Sequence, residues 1–357
     1  MIMEGIQYNF GGKIAWRSPA NIALVKYWGK KQGQIPSNPS LSMTLEKAYT
    51  EMVLEFGNKQ NLSEVIDLEF LFEGEKNPGF EQKIYAFLSS LLHEFPVLSD
   101  IRLKIHSRNT FPHSAGIASS ASSMSALGLC LVSLLVKAGS KFYSNSLFYQ
   151  EASRISRLAS GSACRSVYGG YAIWGKHTEV PGSSDEFAIP LLFDVHRSFE
   201  DMHDAILLVS GKEKPVSSRA GHSLMNGHPF AVSRYEMANN NIASMIEALT
   251  SGDFDEFVRI TESEALTLHA LMMSSNPSFI LMEPNTINIV SAIRRFRHET
   301  SIPVCFTLDA GPNIHLLYPG KDEKKVKEWI DNELLGYCQD SKWIDDRIGK
   351  GPAKIED

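Results

Sequence analysis

The sequence lacks the cysteine pattern of a disulfide-linked or zinc-binding protein. Its 357 residues include only four cysteines, at positions 130, 164, 305 and 338. They are too few and too scattered for a disulfide framework, and no pair has the CxxC spacing of a structural zinc site. Cys130 lies within an apolar run, which predicts a buried thiol that packs as a small hydrophobic group.

A basic excess and a long apolar run are also missing. The 35 Lys and Arg residues are outnumbered by 41 Asp and Glu, giving a net charge of −6. A non-specific nucleic-acid binder normally carries a strong positive charge. The apolar runs fall short of the ~20 residues that span a bilayer, and residues 1–5 do not begin a secretory signal. We therefore expect a cytoplasmic protein with no membrane or nucleic-acid partner.

Composition and pattern favour a two-domain α+β protein. Hydrophobic residues make up 43% and charged residues 21%, as in ordinary globular proteins, and the length suggests about two domains. A polar stretch at 194–203 suggests a boundary that gives domains 1–198 and 199–357. Strands and helices follow one another without regular βαβ alternation, which favours α+β.

Apolar spacing predicts the individual elements. Strands are expected at 22–25, 51–56, 101–105, 168–174, 205–209 and 304–308. Helices are expected at 82–95, 119–137, 231–250, 254–273 and 284–298. The tail after residue 341 is polar, and we expect its last residues to be poorly ordered.

A loop of small residues at 111–123 runs directly into the apolar helix. Such a loop lets the backbone approach a polyphosphate, and the amides at the helix start favour negative charge. The hydroxyls of Ser119, Ser120 and Ser122 could contact phosphate oxygens or a magnesium ion. Neither the Walker A nor the GxGxxG pattern is present. The alternative is a loop whose serines only cap a buried helix.

Three charged residues lie in segments suited to binding an anion. Lys26 ends a buried strand, where a lysine is costly unless it meets an anion or a carboxylate. Arg165 lies among small and hydroxyl residues and could grip a carboxylate or phosphate in bidentate fashion. Asp309 follows an apolar strand. The alternatives are a snorkelling lysine, an exposed arginine in a capping turn, and an ordinary turn aspartate.

Taken together, the segments 21–30, 115–122, 160–166 and 309–313 resemble, in this order, the diphosphomevalonate decarboxylase family of the GHMP kinase superfamily. The resemblance extends over most of the chain. It implies the two-domain α+β GHMP kinase fold with the active site in the cleft between the domains. It also allows a homodimer, which no stripe in the sequence establishes.

The resemblance implies an ATP- and Mg²⁺-dependent reaction on (R)-5-diphosphomevalonate in isoprenoid biosynthesis. ATP would phosphorylate the 3-hydroxyl, and loss of phosphate and carbon dioxide would give isopentenyl diphosphate. Asp309 would then be the base or orienting group for the hydroxyl. Lys26 would pair with Asp309 and the transferring phosphoryl group, and Arg165 would hold the substrate carboxylate.

Further roles are implied by the resemblance alone. The expected substrate contacts are Tyr27, Lys30, Ser160, Ser162 and Ser218, the first two chiefly to the diphosphate. The expected nucleotide contacts are Gly116, Ser119, Ser120 and Ser122, with Ser120 also at the magnesium ion. The pattern departs from the family at His113-Ser114, where Thr-Ala is usual, and at 138–144, which looks like an insertion. No segment identifies the adenine pocket.

Other functions of the same fold stay open. A phosphomevalonate decarboxylase, a mevalonate 3-kinase, another small-molecule kinase and an inactive binding protein would share most of the motifs. The presence of Lys26, Arg165 and Asp309 together favours full decarboxylation. Pocket details that would separate a monophosphate from a diphosphate substrate are not readable from the sequence.

Overall fold

A computed structural model describes residues 11–112, 119–140, 144–212 and 218–356 of the chain. The strands of this described part are β1 (Gly12–Val25), β2 (Ser40–Asn58), β3 (Asp67–Phe72), β4 (Glu75–Lys76), β5 (Ile101–Asn109), β6 (Tyr171–Trp174), β7 (Ala188–Pro190), β8 (Met202–Leu207), β9 (Cys305–Thr307), β10 (Ile314–Pro319), β11 (Trp343–Arg347) and β12 (Ala353–Lys354). Its α-helices are α1 (Pro78–Ser90), α2 (Ser119–Lys137), α3 (Asn145–Ala159), α4 (Ser218–Ser223), α5 (Ala231–Ser251), α6 (Phe254–Met273), α7 (Pro284–Thr300) and α8 (Glu323–Trp329).

The first sheet has the strand order β12-β1-β2-β5-β3-β4, and β6 and β7 extend it beside the first half of β2. All of its described pairings are antiparallel except that of β3 with β5. Helix α2 packs on β1 and β2 and buries an apolar side that includes Leu127, Leu131 and Cys130. The predicted buried thiol at Cys130 is confirmed.

The second sheet is antiparallel, in the order β11-β8-β10-β9. Helices α6 and α7 contact β9, and α8 contacts β10. Helix α6 also contacts β1 of the first sheet, so it lies between the two halves of the molecule. The α+β class and the GHMP kinase fold expected from the sequence are confirmed by this architecture and by the structural neighbours described below.

We expected the last residues of the polar tail to be poorly ordered, but the described tail, through residue 356, forms two strands that both find partners. β11 pairs with β8 of the second sheet, and β12 returns to β1 of the first. The Asp346 carboxylate accepts hydrogen bonds from the backbone N–H groups of Lys47 (2.8 Å) and Ala48 (2.7 Å) in β2. The tail therefore ties the sheets together. The boundary at residue 198, which falls between β7 and β8, stays a prediction.

All five predicted helices are present, and local chemistry explains where several of their ends lie. α2 and α6 have the predicted bounds. α1 begins at Pro78, earlier than predicted, because the Asn77 side chain accepts a hydrogen bond from the N–H of Phe80 (3.1 Å). α5 ends at Ser251 and is followed by Gly252, whose φ of +86° suits glycine, and Asp253 then caps α6. α3 was not predicted.

Helix α2 passes the length and composition test for a membrane span, with a mean hydropathy of 1.7, and is the one such helix in the described residues. In the structure 67% of that span is buried, where the helix covers the first sheet.

Candidate active site

Lys26 lies just after the end of β1 and is almost fully buried, with 2% of its surface exposed. Its Nζ donates to Asp309 Oδ1 at 2.9 Å. Burial lowers the pKa of Lys26 from its usual 10.5, and the charge and hydrogen bond of Asp309 oppose that shift. The snorkelling alternative is thus wrong for Lys26, which is a buried ammonium facing a carboxylate.

Asp309 comes from the other half of the molecule, two residues beyond β9. Its side chain is 30% exposed, so the carboxylate that pairs with Lys26 is also accessible from solvent. Its backbone oxygen accepts hydrogen bonds from the N–H of Gly311 (2.7 Å) and the ring Nε2 of His269 (3.1 Å). The two residues of this ion pair therefore bring both sheets to one point.

Arg165 lies in the 3₁₀ turn Gly161–Val167 and is 2% exposed. Its guanidinium donates to Ser42 Oγ (3.0 Å), Ser40 Oγ (2.7 Å) and Asn21 Oδ1 (3.3 Å). It also lies 5.9 Å from the centre of the Trp174 ring. Burial lowers its pKa, and the nearby charge of Asp309 is among the influences that raise it.

The side chains that accept hydrogen bonds from Arg165 are all neutral. Among the described residues, no carboxylate lies within 4.0 Å of its guanidinium. A buried cation held only by hydroxyls and an amide is suited to an incoming anion. The alternative of an exposed arginine in a capping turn is wrong for this residue.

Glycine in the same turn allows two aromatic rings to come close. A Cβ on Gly161 would lie 2.8 Å from the Trp174 ring and 3.0 Å from Tyr27 Oη. The Tyr27 ring is 4.6 Å from that of Trp174 and 4.3 Å from that of His222. Burial raises the pKa of Tyr27, so its phenol is a neutral donor at physiological pH.

Lys30 is half-buried, and its Nζ donates to Gln34 Oε1 at 2.9 Å. The neighbouring Gly29 N–H donates to His222 Nδ1 at 3.0 Å. Burial, reinforced by the charge of Lys30, lowers the pKa of His222 to about 3. His222 is therefore a neutral imidazole packed between the tilted rings of Tyr27 and Trp28.

The start of α2 is divided between the cleft and the core. Ser120 is exposed, and its Oγ lies 3.4 Å from that of Ser160; Ser119 is half-buried. Ser122 is fully buried, with its Oγ 2.7 Å from Thr50 Oγ1 in β2. Ser119 and Ser120 are thus open to a ligand, whereas Ser122 faces β2.

The other residues expected at the site have fewer described contacts. Ser162 is half-buried, and its carbonyl accepts a hydrogen bond from Asn21 Nδ2 at 3.2 Å. Ser218 begins α4, the helix that carries His222. Gly116 and His113 lie outside the described residues, as does part of the expected insertion at 138–144.

Sequence reasoning missed the residues that hold this site from behind. Glu264 accepts a hydrogen bond from the Lys26 N–H at 2.8 Å, and Arg234 donates to the Lys26 carbonyl at 2.9 Å. Both belong to ordinary helical patterns without a motif, so the sequence carried no signal for them. Asn21 belongs to the family-like segment 21–30 and directly precedes the predicted strand 22–25. That position was a signal that could have identified it.

Comparison with known proteins gives the same family throughout the chain. A model of the diphosphomevalonate decarboxylase-like N-terminal domain matches residues 18–188. A model of the mevalonate 5-diphosphate decarboxylase C-terminal domain matches residues 205–350. The diphosphomevalonate decarboxylase of Eremothecium gossypii is 32% identical over 87% of this chain and 78% of its own length.

Solved structures agree. Mevalonate diphosphate decarboxylase from Staphylococcus aureus is 30% identical, with a TM-score of 0.83, and the match covers 97% of this chain and 99% of that one. A complex of MDDEF with MVAPP, AMPPCP and magnesium is 28% identical, with a TM-score of 0.82, over 98% of this chain and all of that one. With both domains matched in order, this chain belongs to the diphosphomevalonate decarboxylase family.

Proposed function

We propose that this chain converts (R)-5-diphosphomevalonate and ATP into isopentenyl diphosphate, ADP, phosphate and carbon dioxide, with Lys26, Asp309 and Arg165 as its catalytic residues. Family membership makes the chain an ATP-dependent decarboxylase of the mevalonate pathway that uses Mg²⁺. The observation that carries the residue roles is the 2.9 Å Lys26–Asp309 pair, with one partner buried and the other open to the cleft.

Asp309 accepts the proton of the tertiary 3-hydroxyl as the oxygen forms its bond to the terminal phosphorus of ATP. An anionic carboxylate is required for this step, and the adjacent Lys26 ammonium stabilises it. The Asp309 side chain is 30% exposed, which lets it reach a substrate while Lys26 stays shielded from water. In that shielded position the charge of Lys26 is also effective on the transferring phosphoryl group.

Arg165 holds the substrate carboxylate. Its three neutral hydrogen-bond acceptors fix the plane of the guanidinium, because Nε, Nη1 and Nη2 donate to three different residues. When the 3-phosphate leaves, the C–C bond to the carboxylate breaks, its electron pair forms the new double bond, and neutral carbon dioxide is released. The electrostatic grip of Arg165 ends with that step, because its anionic partner no longer exists.

The N-terminus of α2 suits the nucleotide phosphates. Ser119 and Ser120 lie in the first turn of a 19-residue helix, where free N–H groups favour anions. The exposed Ser120 hydroxyl is a hard oxygen ligand and would hold the magnesium ion, which when bound neutralises charge between the β- and γ-phosphates. Gly116 would allow close backbone approach. Ser122, bound to Thr50, anchors α2 to β2.

The substrate diphosphate is assigned to the cationic and aromatic side of the cleft. Tyr27 offers a neutral phenol and Lys30 an ammonium. Ser160 precedes the Arg165 turn and Ser162 lies within it. Ser218, at the start of α4, is assigned to the substrate from the family resemblance. The closeness of Tyr27 to Gly161 supports a pocket shared by the Tyr27 and Arg165 segments.

A product assay tests this function. Purified protein is incubated with ATP, Mg²⁺ and either 5-diphosphomevalonate or 5-phosphomevalonate, and all products are quantified by mass spectrometry and carbon dioxide release. We expect equal amounts of isopentenyl diphosphate, carbon dioxide, ADP and phosphate from the diphosphate. A 3-phosphorylated product without carbon dioxide would identify a kinase, and preference for the monophosphate would overturn the substrate assignment.

We also propose a cytoplasmic location, no membrane or nucleic-acid partner, and a homodimer. The net charge of −6 and the burial of most of α2 support the first two. Cell fractionation tests the location, and sedimentation equilibrium of the purified chain tests the dimer. Recovery in the membrane fraction or a monomer at micromolar concentration would contradict them.

A further inference from the structure

We infer that helix α6 positions the catalytic ion pair from behind, with Glu264 holding Lys26 and His269 holding Asp309. The inference deepens the proposed function and rests on it for the roles of Lys26 and Asp309. Neither residue of α6 is expected to touch substrate. Both are positioning residues that act through the backbone of their partners.

Glu264 satisfies a backbone group that β1 leaves unpaired. The pairing of β1 with β2 ends at Val25, so the next N–H, that of Lys26, needs another acceptor. Glu264 Oε2 accepts it at 2.8 Å. The Lys26 carbonyl accepts from Arg234 Nη2 (2.9 Å) and Asn38 Nδ2 (2.9 Å). The peptide groups on both sides of the Lys26 Cα are therefore fixed.

Glu264 is itself locked in place. Its side chain is fully buried and forms a two-pronged ion pair with Arg234, at 2.7 Å to Oε1 and 2.6 Å to Oε2. Asn241 Nδ2 adds a third donor, at 2.7 Å to Oε1. A buried ion pair contributes little stability beyond well-packed apolar residues. Its effect here is to hold one carboxylate oxygen rigidly against the Lys26 N–H.

His269 holds the backbone of Asp309, as Glu264 holds that of Lys26. It is 1% exposed, and its Nε2 lies 3.1 Å from the Asp309 carbonyl oxygen. Because a carbonyl only accepts, Nε2 carries the proton. Asp309 lies beyond the end of β9, and its carbonyl also accepts the N–H of Gly311 at 2.7 Å within the same turn. The bond from His269 adds a link from this turn to α6.

One rigid element thus sets both ends of the pair. Glu264 and His269 are five residues apart on α6, about 7.5 Å along a helix axis. Lys26 follows a strand of the first sheet, and Asp309 follows a strand of the second. A misplacement of about 1 Å at a reacting group costs up to ~10²-fold in rate, so a common frame for the two backbones has a direct catalytic consequence.

The test compares His269→Phe, which keeps a ring but loses the donor, with His269→Gln, whose amide nitrogen reaches the position of Nε2. We expect kcat to fall about 10-fold in His269→Phe, the loss of roughly one hydrogen bond, with both KM values within about 2-fold. His269→Gln should stay within about 3-fold of wild type. Equal kcat in wild type and His269→Phe would overturn the inference for Asp309.

For the other end, Glu264→Gln is compared with Glu262→Gln on the same helix. Glu262 is also buried and ion-paired, to Arg294 and Arg297, but contacts neither member of the catalytic pair. We expect Glu264→Gln to lower kcat 10- to 100-fold with little change in KM, and Glu262→Gln to lower the melting temperature with kcat within 2-fold. Equal kcat losses in the two variants would reduce Glu264 to a structural role.

A pH profile distinguishes positioning from general loss of stability. The groups that act on the Lys26 ammonium are Asp309, Glu264 and Arg165, and the charge of Glu264 raises the pKa of Lys26. Glu264→Gln should therefore move the alkaline limb of kcat to lower pH. Glu262→Gln should leave it unchanged, and a limb that does not move in Glu264→Gln contradicts the inference.

Amide hydrogen exchange keeps this inference separate from the proposed function, because it needs no substrate. Exchange at the Lys26 amide should be at least 10-fold faster in Glu264→Gln than in wild type, and unchanged in Glu262→Gln. If wild type produces no carbon dioxide but the exchange pattern holds, the function fails and the positioning stands. If Glu264→Gln does not fold, the two His269 variants decide.

Discussion

Removal of either member of the Lys26–Asp309 pair should nearly abolish turnover while leaving substrate binding largely intact. At 2.9 Å and an effective dielectric constant of ~20, the attraction is about 6 kcal/mol before desolvation is subtracted. Breaking a buried pair typically costs about 3–5 kcal/mol. A general base contributes ~10²–10⁴-fold. We therefore expect Asp309→Asn and Lys26→Met each to lower kcat by 10²- to 10⁴-fold.

The two variants should differ in stability, because the exposures of the partners differ. Lys26→Met leaves Asp309, which is 30% exposed and can be solvated; Asp309→Asn leaves an ammonium that is 2% exposed. The melting temperature should therefore fall further in Asp309→Asn. The same loss should move the alkaline limb of its residual activity to lower pH, since Asp309 raises the pKa of Lys26.

A double-mutant cycle in kcat, with substrate affinity measured by calorimetry, is the assay. If the pair acts as a unit, the double variant should be little worse than either single variant. Lys47→Met is the matched control, because Lys47 forms an ion pair with Asp345 at 2.8 Å but with 50% and 34% of the side chains exposed; it should change kcat less than 2-fold. Additive losses would refute the pairing, and an active Asp309→Asn enzyme would refute the mechanism.

Three further predictions follow from single contacts. Arg165→Ala should lower kcat/KM roughly 30- to 150-fold, because a lost charge-assisted contact costs about 2–3 kcal/mol. If the variant has the same steady-state kinetics as wild type, Arg165 does not hold the substrate carboxylate. Asp346→Asn should lower the free energy of unfolding in urea by about 2–3 kcal/mol, because the N–H groups of Lys47 and Ala48 share its carboxylate; no change would contradict the tail's role. Burial lowers the pKa of His222 to about 3 in the folded chain, so below pH 6.5 the unfolded chain binds a proton there that the folded chain does not. Lowering the pH from 7 to 4.5 should therefore reduce the free energy of unfolding by about 2–3 kcal/mol more in wild type than in His222→Asn.

Local signals were sufficient for most of the fold. The helices with strong apolar spacing, α2 and α6, were predicted with their bounds, and the capping by Asn77 explains the shift in α1. Helices α3, α4 and α8 were not predicted, nor were strands such as β3 and β10. The apolar residues Phe148, Ala152 and Ile155 of α3 do have helical spacing. The order in the tail was not predictable, because it depends on β8 and β1, which lie more than 100 residues earlier in the sequence.

The candidate site likewise has residues that the sequence could identify and residues that it could not. Lys26, Arg165 and Asp309 were identifiable because each places a charge beside a buried strand or among small residues, and the family resemblance gave them roles. Their supports were not identifiable. Glu264, Arg234 and His269 act on backbone groups of residues far away in sequence, and neither pattern nor spacing reports such a contact. Those assignments required coordinates.

The charges around the cleft also explain why an anionic substrate fits this arrangement. Lys26 and Arg165 are both buried cations. Burial is the main cause that lowers the pKa of Lys26, and the charge of Arg165 lowers it further. Asp309 supplies one compensating negative charge. Arg234 and Glu264 neutralise each other. In the proposed function, a substrate carboxylate beside Arg165 would balance the remaining positive charge, and its conversion to neutral carbon dioxide would remove that attraction at the step where the product must leave.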